Sequence, residues 1–228
     1  SFLFRSDLFT QNKKWVSELC EGIKERNLKI DWACNSRVDS LDEPTLRAMK
    51  SAGCWIVAFG VESGDQAALD RMNKSARVEA VKPAIELCRK VGVKSSIYLL
   101  LGFPWDTRET VEQNMRFARE IDPDVLEWFY IYPFPGTVLY KMAVEEGLLE
   151  DGVIPRSAYD SPAIATKHLS VDELKSLRRQ AMRDFYLRPR IVWRTLRSAR
   201  SPKEMLNYVR YGTLQLWDLL TGNQHESA

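Results

Sequence analysis

The stretch that decides the fold is WIVAFGVESG, residues 55–64. Its first seven residues are apolar without alternation, which is the pattern of a strand buried on both faces of a parallel sheet. The run ends in Glu62, Ser63 and Gly64. Residues at the carboxyl end of such a strand build the ligand sites of parallel α/β proteins. The stretch therefore predicts both an α/β fold and the edge of the sheet at which a ligand binds.

The same order of apolar strand, turn and helix recurs along the first 150 residues. Strands are predicted over residues 2–4, 29–34, 55–61, 93–101 and 125–132, and helices over 12–26, 42–53, 65–72, 78–91, from 106 onward and from 137 to 146. Asp42 with Pro44, and Asp106 with Glu109 as a capping box, are helix start signals. Five such units, spaced by roughly 25–35 residues, favour parallel strands joined by right-handed crossovers.

The turns distinguish between two parallel architectures. Each strand has its polar or Gly/Pro residues at its carboxyl end: Asp7; Asn35, Arg37 and Asp39; Glu62–Gly64; Gly102–Pro104; and Pro133–Gly136. This distribution is typical of (β/α) barrels, whereas a doubly wound sheet would concentrate the signal in one GxGxxG turn, which the sequence lacks. We predict an incomplete (β/α) TIM-like barrel over residues 1–150, followed by a helical C-terminal extension over residues 151–228.

The extension differs from the barrel in charge and carries its own helix signals. Residues 1–155 have a net charge of −4 and residues 156–210 have one of +8. Capping boxes at 170–173 and 201–204, with Pro189 between them, predict helices. Apolar residues recur at helical spacing at Leu174, Leu177, Ala181 and Phe185, and less strictly at Leu206, Val209, Leu216 and Leu220. We expect these helices to pack on the outside of the barrel or to cover its mouth.

Composition excludes several classes of function. The 228 residues are 45% hydrophobic and 28% charged, as in an ordinary globular domain, and no apolar run approaches the length of about 20 residues that a membrane span needs. Four cysteines without a CxxC pair, and only two histidines, argue against a zinc knuckle and a Ser-His-Asp triad. The cysteines are predicted to be buried free thiols, which indicates the cytoplasm. No signal peptide is visible, and we expect the chain to be part of a longer protein.

Three strand ends carry candidate site residues. Glu62 can accept hydrogen bonds from a ligand's ammonium group or ribose hydroxyls, with a helix cap at Ser63 as the structural alternative. The turn at 102–104 is expected to expose backbone groups beside an apolar surface, suited to a flat base such as adenine, or else to be a plain strand-to-helix turn. The rim at 130–137 combines aromatic residues with two prolines and is either a stacking surface or packing.

Seven short motifs occur in succession along the first 150 residues. They are Asp7-x-Phe9, Trp32-x-Cys34-x-x-Arg37-x-Asp39, Met49-Lys50-x-Ala52-Gly53-Cys54, Phe59-Gly60-Val61-Glu62-Ser63-Gly64, Met72-x-Lys74, Gly102-x-Pro104-x-x-Thr107-x-Glu109-Thr110 and Pro133-x-Pro135-Gly136-Thr137-x-Leu139-Tyr140. Their order and spacing resemble the radical S-adenosylmethionine (SAM) superfamily. Segment 185–189 is similar to the segment after the barrel in members with an N-terminal cobalamin-binding domain, such as methyltransferases and the anaerobic magnesium-protoporphyrin ester cyclase type.

The resemblance implies a six-unit partial barrel that binds SAM on a 4Fe–4S cluster, with units two to six in this chain. Glu62 and Ser63 match a position that meets the ribose or methionine part of SAM, and Lys74 matches a basic position that pairs with the SAM carboxylate. We expect Glu62 and Lys74 to grip the methionine end together. The other implied cofactor-binding residues are Tyr98 and Gly102 in the SAM pocket, Pro133 near adenine, and Arg37 as a looser candidate.

The sequence departs from the family pattern at the cluster. The CxxxCxxC loop that supplies the cluster thiolates is absent. Its ligands, and the cobalamin domain in members that use one, are therefore expected outside this chain; the alternative is that the protein has lost the loop. In either case this chain should be inactive by itself. The resemblance implies that the full-length protein cleaves SAM reductively to a 5′-deoxyadenosyl radical. Methyl transfer or oxidative cyclisation of a small-molecule substrate would follow, with flavodoxin or ferredoxin as electron donor.

Two other functions remain open on the residues alone. A non-radical barrel enzyme of aldolase type needs a Schiff-base lysine or a phosphate nest at a strand end, and no lysine lies within the apolar strand ends. An RNA-binding or RNA-modifying member would use the basic extension, and its binding would depend on salt. No dedicated RNA-binding motif is visible, and a solvated helical face also explains the basic residues. Nucleic acid is therefore the less favoured partner.

Overall fold

The computed structural model describes residues 2–6, 9–155 and 161–197. Five strands form one sheet: β1 Phe2–Phe4, β2 Trp32–Ser36, β3 Cys54–Glu62, β4 Lys94–Leu101 and β5 Val125–Tyr130. The helices of this part of the chain are α1 Lys13–Glu25, α2 Glu43–Ser51, α3 Gln66–Arg71, α4 Val81–Val91, α5 Arg108–Ile121, α6 Val138–Glu145, α7 Val171–Tyr186 and α8 Pro189–Arg197. None of these helices is long and apolar enough to cross a membrane.

The strands are all parallel, and their order in the sheet is their order in the sequence. A helix comes after each strand, as expected for successive (β/α) units. The apolar core lies between one face of the sheet and these helices. Its largest fully buried side chains on the strands are Trp32, Phe59, Ile97 and Trp128. The predicted α/β class is confirmed.

The opposite face of the sheet has a different composition. Because successive strand residues point to opposite faces, the positions between the core residues form a second row of side chains. We call this surface the polar face and define it by Asn35, Ser96, Tyr98 and Glu127. Except for Ser96, these residues are only partly buried.

Helix α2 begins and ends where the sequence predicts. The Asp42 side chain accepts a hydrogen bond from the Thr45 amide at 2.9 Å, and Pro44 lies in the first turn. After the helix, Gly53 has a φ of +96°. A Cβ at Gly53 would lie 2.0 Å from the Ile30 carbonyl oxygen, so only glycine fits this turn.

Helix α5 begins differently from the prediction. Thr107 is its N-cap, and Thr107 and Thr110 form a reciprocal capping box, with hydrogen bonds of 3.3 and 3.0 Å between amides and hydroxyls. The predicted Asp106–Glu109 box is wrong. The Asp106 carboxylate instead accepts hydrogen bonds from the backbone of residues 102–103.

Two strands end two residues away from their predicted ends. Strand β2 begins three residues later and ends two residues later, because its ladder with β3 continues through Asn35 and Ser36. Asn35 therefore lies within a strand and not after it. Strand β5 ends at Tyr130, two residues early, and Pro133 beyond it has no N–H with which to extend a ladder.

The first helix of the extension belongs to the core. Helix α7 has the predicted Ser170–Glu173 capping box, and four of its residues join the main hydrophobic cluster: Leu174, Leu177, Ala181 and Phe185. The Tyr186 hydroxyl also donates to the Leu126 carbonyl at 2.8 Å. The predicted packing on the outside of the barrel is confirmed for α7. The predicted box at 201–204 and the apolar positions from 206 to 220 lie outside the described residues, and the boundary at residue 150 stays a prediction.

Part of the positive charge of the extension has a structural role. Asp122, whose side chain is 9% exposed, lies within 3.0–3.5 Å of four guanidinium groups. Three of them, Arg188, Arg190 and Arg194, come after α7 or lie on α8, and the fourth is Arg89 of α4. These arginines connect the extension to the loop before β5.

Candidate functional site

The candidate site lies at the carboxyl edge of the sheet, where three hollows meet at Glu62. The hollows measure about 140, 350 and 440 Å³, and Glu62 lines all three. Glu62 ends β3 with a φ of +68°. Non-glycine residues rarely adopt this left-handed conformation, and strained residues cluster at functional sites. The pairing of β3 with β4 also shifts register between Gly60 and Glu62, so Glu62 leaves the regular sheet.

Glu62 and Lys74, predicted as partners, form an ion pair. Lys74 Nζ donates to Glu62 Oε1 at 2.5 Å and to the Gly60 carbonyl oxygen at 2.5 Å. The side chains of Lys74 and Glu62 are 26% and 22% exposed, so the pair is partly shielded from water and still open to a ligand. Their predicted proximity is confirmed, and their role in binding SAM stays a prediction.

Two residues that the sequence analysis missed hold this pair in place. A Cβ at Gly60 would lie 2.8 Å from Glu62 Oε1, so glycine makes room for the carboxylate. Gln66 hydrogen-bonds to the backbone of the segment 76–78, which fixes the loop that carries Lys74. A glycine within an apolar strand is a known sign of close approach and could have identified Gly60. Gln66 carries no comparable signal.

Ser63 is buried, and its hydroxyl is engaged within the protein. Its Oγ donates to Asn114 Oδ1 at 3.2 Å and accepts from the Asp65 amide at 3.1 Å. Asn114 Oδ1 also accepts from the Gly64 amide at 2.6 Å. A Cβ at Gly64 would lie 2.3 Å from the Phe117 ring, so this glycine allows close packing of the turn against α5. The cap of α3 is Asp65, so the alternative of Ser63 as the helix cap is wrong.

The turn after β4 is stabilised by a buried carboxylate. The amides of Gly102 and Phe103 donate to Asp106 Oδ2 at 2.8 and 3.0 Å, and Gly102 has a φ of +100°. Burial raises the pKa of Asp106 to about 6, although the two amides act in the opposite direction. The expectation that this turn leaves backbone groups free for adenine is therefore wrong for these two amides.

An aromatic shelf, formed by Phe103 and Trp105, lines the hollows of 140 and 440 Å³. The two rings stack at 4.8 Å, and the Arg71 guanidinium lies 4.2 Å from the centre of the Trp105 ring. Trp105 Nε1 is buried and has no hydrogen-bond acceptor among the described residues. Because buried donors are almost always paired, a ligand that offers an acceptor would satisfy it.

The hollow of 350 Å³ has more polar walls. It is lined by Asn35, Arg37, Glu62, Lys74 and Tyr98, among others. Arg37 donates to both carboxylate oxygens of Asp39, at 2.9 and 2.7 Å. The guanidinium therefore already has a partner and holds the pKa of Asp39 below its ordinary value. Burial, and the negative charge of Glu127, raise the pKa of Tyr98, so its phenol stays protonated at neutral pH.

Pro133 lies in the rim after β5 and lines none of the three hollows. It is buried, while Phe134 beside it is exposed and Tyr132 donates to the Pro155 carbonyl at 2.6 Å. Five of the seven predicted site residues line the hollows: Arg37, Glu62, Ser63, Lys74 and Tyr98. Gly102 and Pro133 lie in the supporting turns.

The described residues do not fit a 4Fe–4S cluster. They contain no group of three His, Cys, Asp or Glu side chains that could hold a metal ion. The four cysteines are free and buried: Cys20, Cys34, Cys54 and Cys88. Burial raises the pKa of Cys20 to about 11 and that of Cys88 to about 12, which disfavours the thiolates that an iron–sulfur cluster requires.

(β/α) proteins typically bind small molecules at the carboxyl edge of their parallel sheet. The charged pair and the aromatic shelf lie at that edge. Residues 7–118 match the model of the radical SAM superfamily, and the chain belongs to that superfamily. The resemblance found in the sequence is confirmed. The aldolase-type and RNA-binding alternatives are not favoured.

Two curated relatives show what kinds of protein share this sequence. The chain is 33% identical over 189 residues to an uncharacterized methyltransferase of Pyrococcus horikoshii, covering 83% of this chain and 41% of the relative. It is 31% identical over 142 residues to the anaerobic magnesium-protoporphyrin IX monomethyl ester cyclase of Rubrivivax gelatinosus, covering 61% of this chain and 26% of the relative. The chain therefore spans less than half the length of either relative.

Two solved structures share the fold. The cobalamin-dependent SAM radical enzyme OxsB, with aqua-cobalamin and SAM bound, matches with a TM-score of 0.58 and 14% identity over 91% of this chain and 36% of that chain. The methyltransferase TsrM of Kitasatospora setae, with cobalamin and a 4Fe–4S cluster bound, matches with a TM-score of 0.56 and 19% identity. The match covers 72% of this chain and 34% of the TsrM chain. This likeness concerns the fold and confirms the predicted partial barrel with a helical C-terminal region.

Proposed function

We propose that this chain forms the SAM-binding part of a radical SAM enzyme. The full-length protein would then perform methyl transfer or oxidative cyclisation at an unreactive carbon of a small molecule. The observation that carries the proposal is the Glu62–Lys74 ion pair, which lies where three hollows meet within the segment that matches the family. A methyltransferase and a cyclase among the relatives support the two reaction types.

The ion pair is chemically suited to the methionine end of SAM, which is a zwitterion. Glu62 can accept hydrogen bonds from the ligand's ammonium group, and Lys74 can donate to its carboxylate. Such charge-assisted hydrogen bonds are roughly twice as strong as neutral ones. Lys74 is already positioned by the Gly60 carbonyl, so little side-chain freedom would be lost on binding.

The aromatic shelf suits the adenosine end of the same ligand. Phe103 and Trp105 give the hollows of 140 and 440 Å³ an apolar wall, and Trp105 Nε1 is a buried donor without a described partner. When bound to a reduced cluster, SAM supplies an organic radical that removes a hydrogen atom from a substrate. The residues of this chain would bind SAM, orient it and exclude water from it.

We assign the cluster ligands to residues outside this sequence, because the described residues do not fit a cluster. The same assignment holds for cobalamin, which the structures of OxsB and TsrM contain. An electron donor such as flavodoxin or ferredoxin would deliver the reducing electron. The four free, buried cysteines support the cytoplasm as the compartment.

Equilibrium dialysis of the full-length protein against labelled SAM tests the proposal. We expect saturable binding that excess S-adenosylhomocysteine reverses. The control is Trp193→Ala, because Trp193 is an exposed residue of α8 that lines none of the three hollows. It should leave the SAM affinity unchanged. The absence of saturable binding would contradict the proposal.

A further inference from the structure

Helix α8 exposes apolar side chains between arginines. Ile191 is the buried residue of this helix, whereas Trp193 is 66% exposed and Val192 is 43% exposed. Arg190 and Arg197 are also exposed, and they lie three residues before and four residues after Trp193. Residues at these spacings are neighbours on a helix, so the two arginines flank the tryptophan on the outer side of α8.

We call this region the α8 surface and define it by Leu187, Arg190, Val192, Trp193 and Arg197. Leu187, just before the helix, is 40% exposed. Single exposed apolar residues are common in soluble proteins. Three of them among seven consecutive residues, one with an indole ring, form a patch of the kind that marks an interaction site.

The charge around the α8 surface is strongly positive. Residues 187–197 contain four arginines and no acidic residue. The acidic side chains that pair with arginines in this region are Asp122, Asp124 and Asp184, and Glu120 is paired with Lys82. Against these three aspartates stand seven arginines, which leaves a net charge of +4: Arg89, Arg119, Arg183, Arg188, Arg190, Arg194 and Arg197.

The α8 surface lies away from the candidate SAM site. Arg194 pairs with Asp122 and Asp124, which come directly before β5, so α8 is anchored at the amino edge of the sheet. The candidate site lies at the carboxyl edge, and no described residue of α8 lines its hollows. A partner on the α8 surface would therefore not cover the site.

We propose that the α8 surface binds the protein peripherally and reversibly to an anionic lipid surface. Indole rings favour the membrane–water interface, the aliphatic side chains of Leu187 and Val192 can enter the boundary of the acyl chains, and the arginines attract anionic headgroups. Because α8 has only nine residues, it is far too short to span a bilayer. An RNA backbone would engage the arginines but leave the aliphatic side chains in water.

Sedimentation with lipid vesicles tests this proposal on the full-length protein. One set of vesicles contains phosphatidylcholine alone, and the other contains equal parts of phosphatidylcholine and phosphatidylglycerol. We expect saturable binding to the anionic vesicles and at least roughly tenfold weaker binding to the neutral ones. Trp193→Ala should weaken binding to the anionic vesicles by about tenfold and Arg190→Gln by about fivefold, because each removes one contact with the interface.

Two matched controls lie on α1, which follows β1 at the opposite end of the sheet. Trp15→Ala removes a tryptophan that is 45% exposed, and Lys14→Gln removes an exposed charge. Both variants should bind anionic vesicles like the unsubstituted protein. The melting temperatures of Trp193→Ala and Arg190→Gln should stay unchanged, because both side chains are exposed, so their weaker binding would not reflect unfolding.

Three results would overturn the proposal: no binding to anionic vesicles, equal binding to both kinds of vesicle, or unchanged binding in both α8 variants. Binding to polyuridylate RNA that excess anionic vesicles do not displace, and that Trp193→Ala leaves unchanged, would also overturn it and assign the surface to nucleic acid. SAM affinity, measured in the same samples, should be the same in the α8 variants as in the unsubstituted protein. A failure of lipid binding would therefore leave the proposed function standing.

Discussion

Glu62 combines three features that rarely coincide in one residue. It ends a buried strand, adopts a left-handed backbone conformation and pairs with a lysine twelve residues further on. Surface ion pairs contribute little to stability, and a strained backbone costs on the order of 1–3 kcal/mol. The arrangement is therefore better explained by ligand binding than by folding.

Substitution of either partner of this pair should weaken SAM binding. Glu62→Gln and Lys74→Met each remove a charged hydrogen bond worth roughly 1.5–3 kcal/mol, so we expect dissociation constants about ten- to a hundredfold higher. Iron content should not change. Glu43→Gln, which removes a remote pair with Lys90, is the control. SAM affinity is measured by equilibrium dialysis. Normal affinity in both variants would show that Glu62 and Lys74 do not bind SAM.

The buried carboxyl of Asp106 should make stability depend on pH. Its pKa is raised from 3.8 to about 6 in the folded state, so the folded protein binds more protons between these values. The contribution of Asp106 to the free energy of unfolding should therefore be largest below about pH 4 and fall by at most about 3 kcal/mol as the pH rises through about 6. Asp106→Asn should flatten this dependence. Urea unfolding of the unsubstituted protein and of Asp106→Asn at several pH values tests this prediction. If the free energies of unfolding of the two proteins change with pH in the same way, the prediction is contradicted.

The sequence identified those site residues whose place in the fold follows from their position next to a strand or helix end. Glu62 comes at the end of an apolar strand and Lys74 ends the short segment after it, so both could be placed at one edge. Asn114 and Trp105 were missed because their roles depend on contacts with distant segments. The role of Asp106 was misassigned for a related reason: a carboxylate before a helix usually caps that helix, and only the fold shows that it turns back to residues 102–103.

At the scale of elements, the sequence predicted most of the barrel and the first helix of the extension. Long apolar runs and helix caps are local signals, so strand β3, helix α2 and the start of helix α7 were placed within one or two residues. Strand β2 was shifted because its ends depend on pairing with β3, which no local pattern encodes. The same reason explains why the polar face was not foreseen.

Helix α7 should be essential to the stability of the barrel. Phe185→Ala removes a ring that is 1% exposed in the main core, and such truncations cost about 3–5 kcal/mol. Leu187→Ala, at a residue that is 40% exposed, should change stability by no more than about 0.5 kcal/mol. Deletion of residues 156–228 should uncover the core and lower solubility. A truncated chain as soluble and stable as the intact one would show that α7 is dispensable.

At the scale of the whole molecule, the chain has a candidate ligand site, and its described residues include no group suited to an iron–sulfur cluster. The polar face, the ion pair and the aromatic shelf lie in succession along one side and edge of the sheet. Under the proposed function, the ion pair would hold the methionine end of SAM and the aromatic shelf its adenosine. The same proposal assigns the iron ligands to residues outside this sequence.

The 228-residue chain alone should not assemble an iron–sulfur cluster. Its cysteines are buried in the core, where thiolates are disfavoured. Anaerobic reconstitution with iron and sulfide, followed by desalting, should leave no stoichiometric absorbance of a 4Fe–4S cluster. A stable, stoichiometric cluster on this chain would refute the assignment of the cluster ligands to another segment.

The most direct measurement is the release of 5′-deoxyadenosine from SAM by the full-length protein, reconstituted anaerobically and reduced with dithionite. We predict release that requires the reductant and falls at least about tenfold in Glu62→Gln at limiting SAM. A protein that carries its cluster and binds SAM but releases no 5′-deoxyadenosine would contradict a radical SAM function.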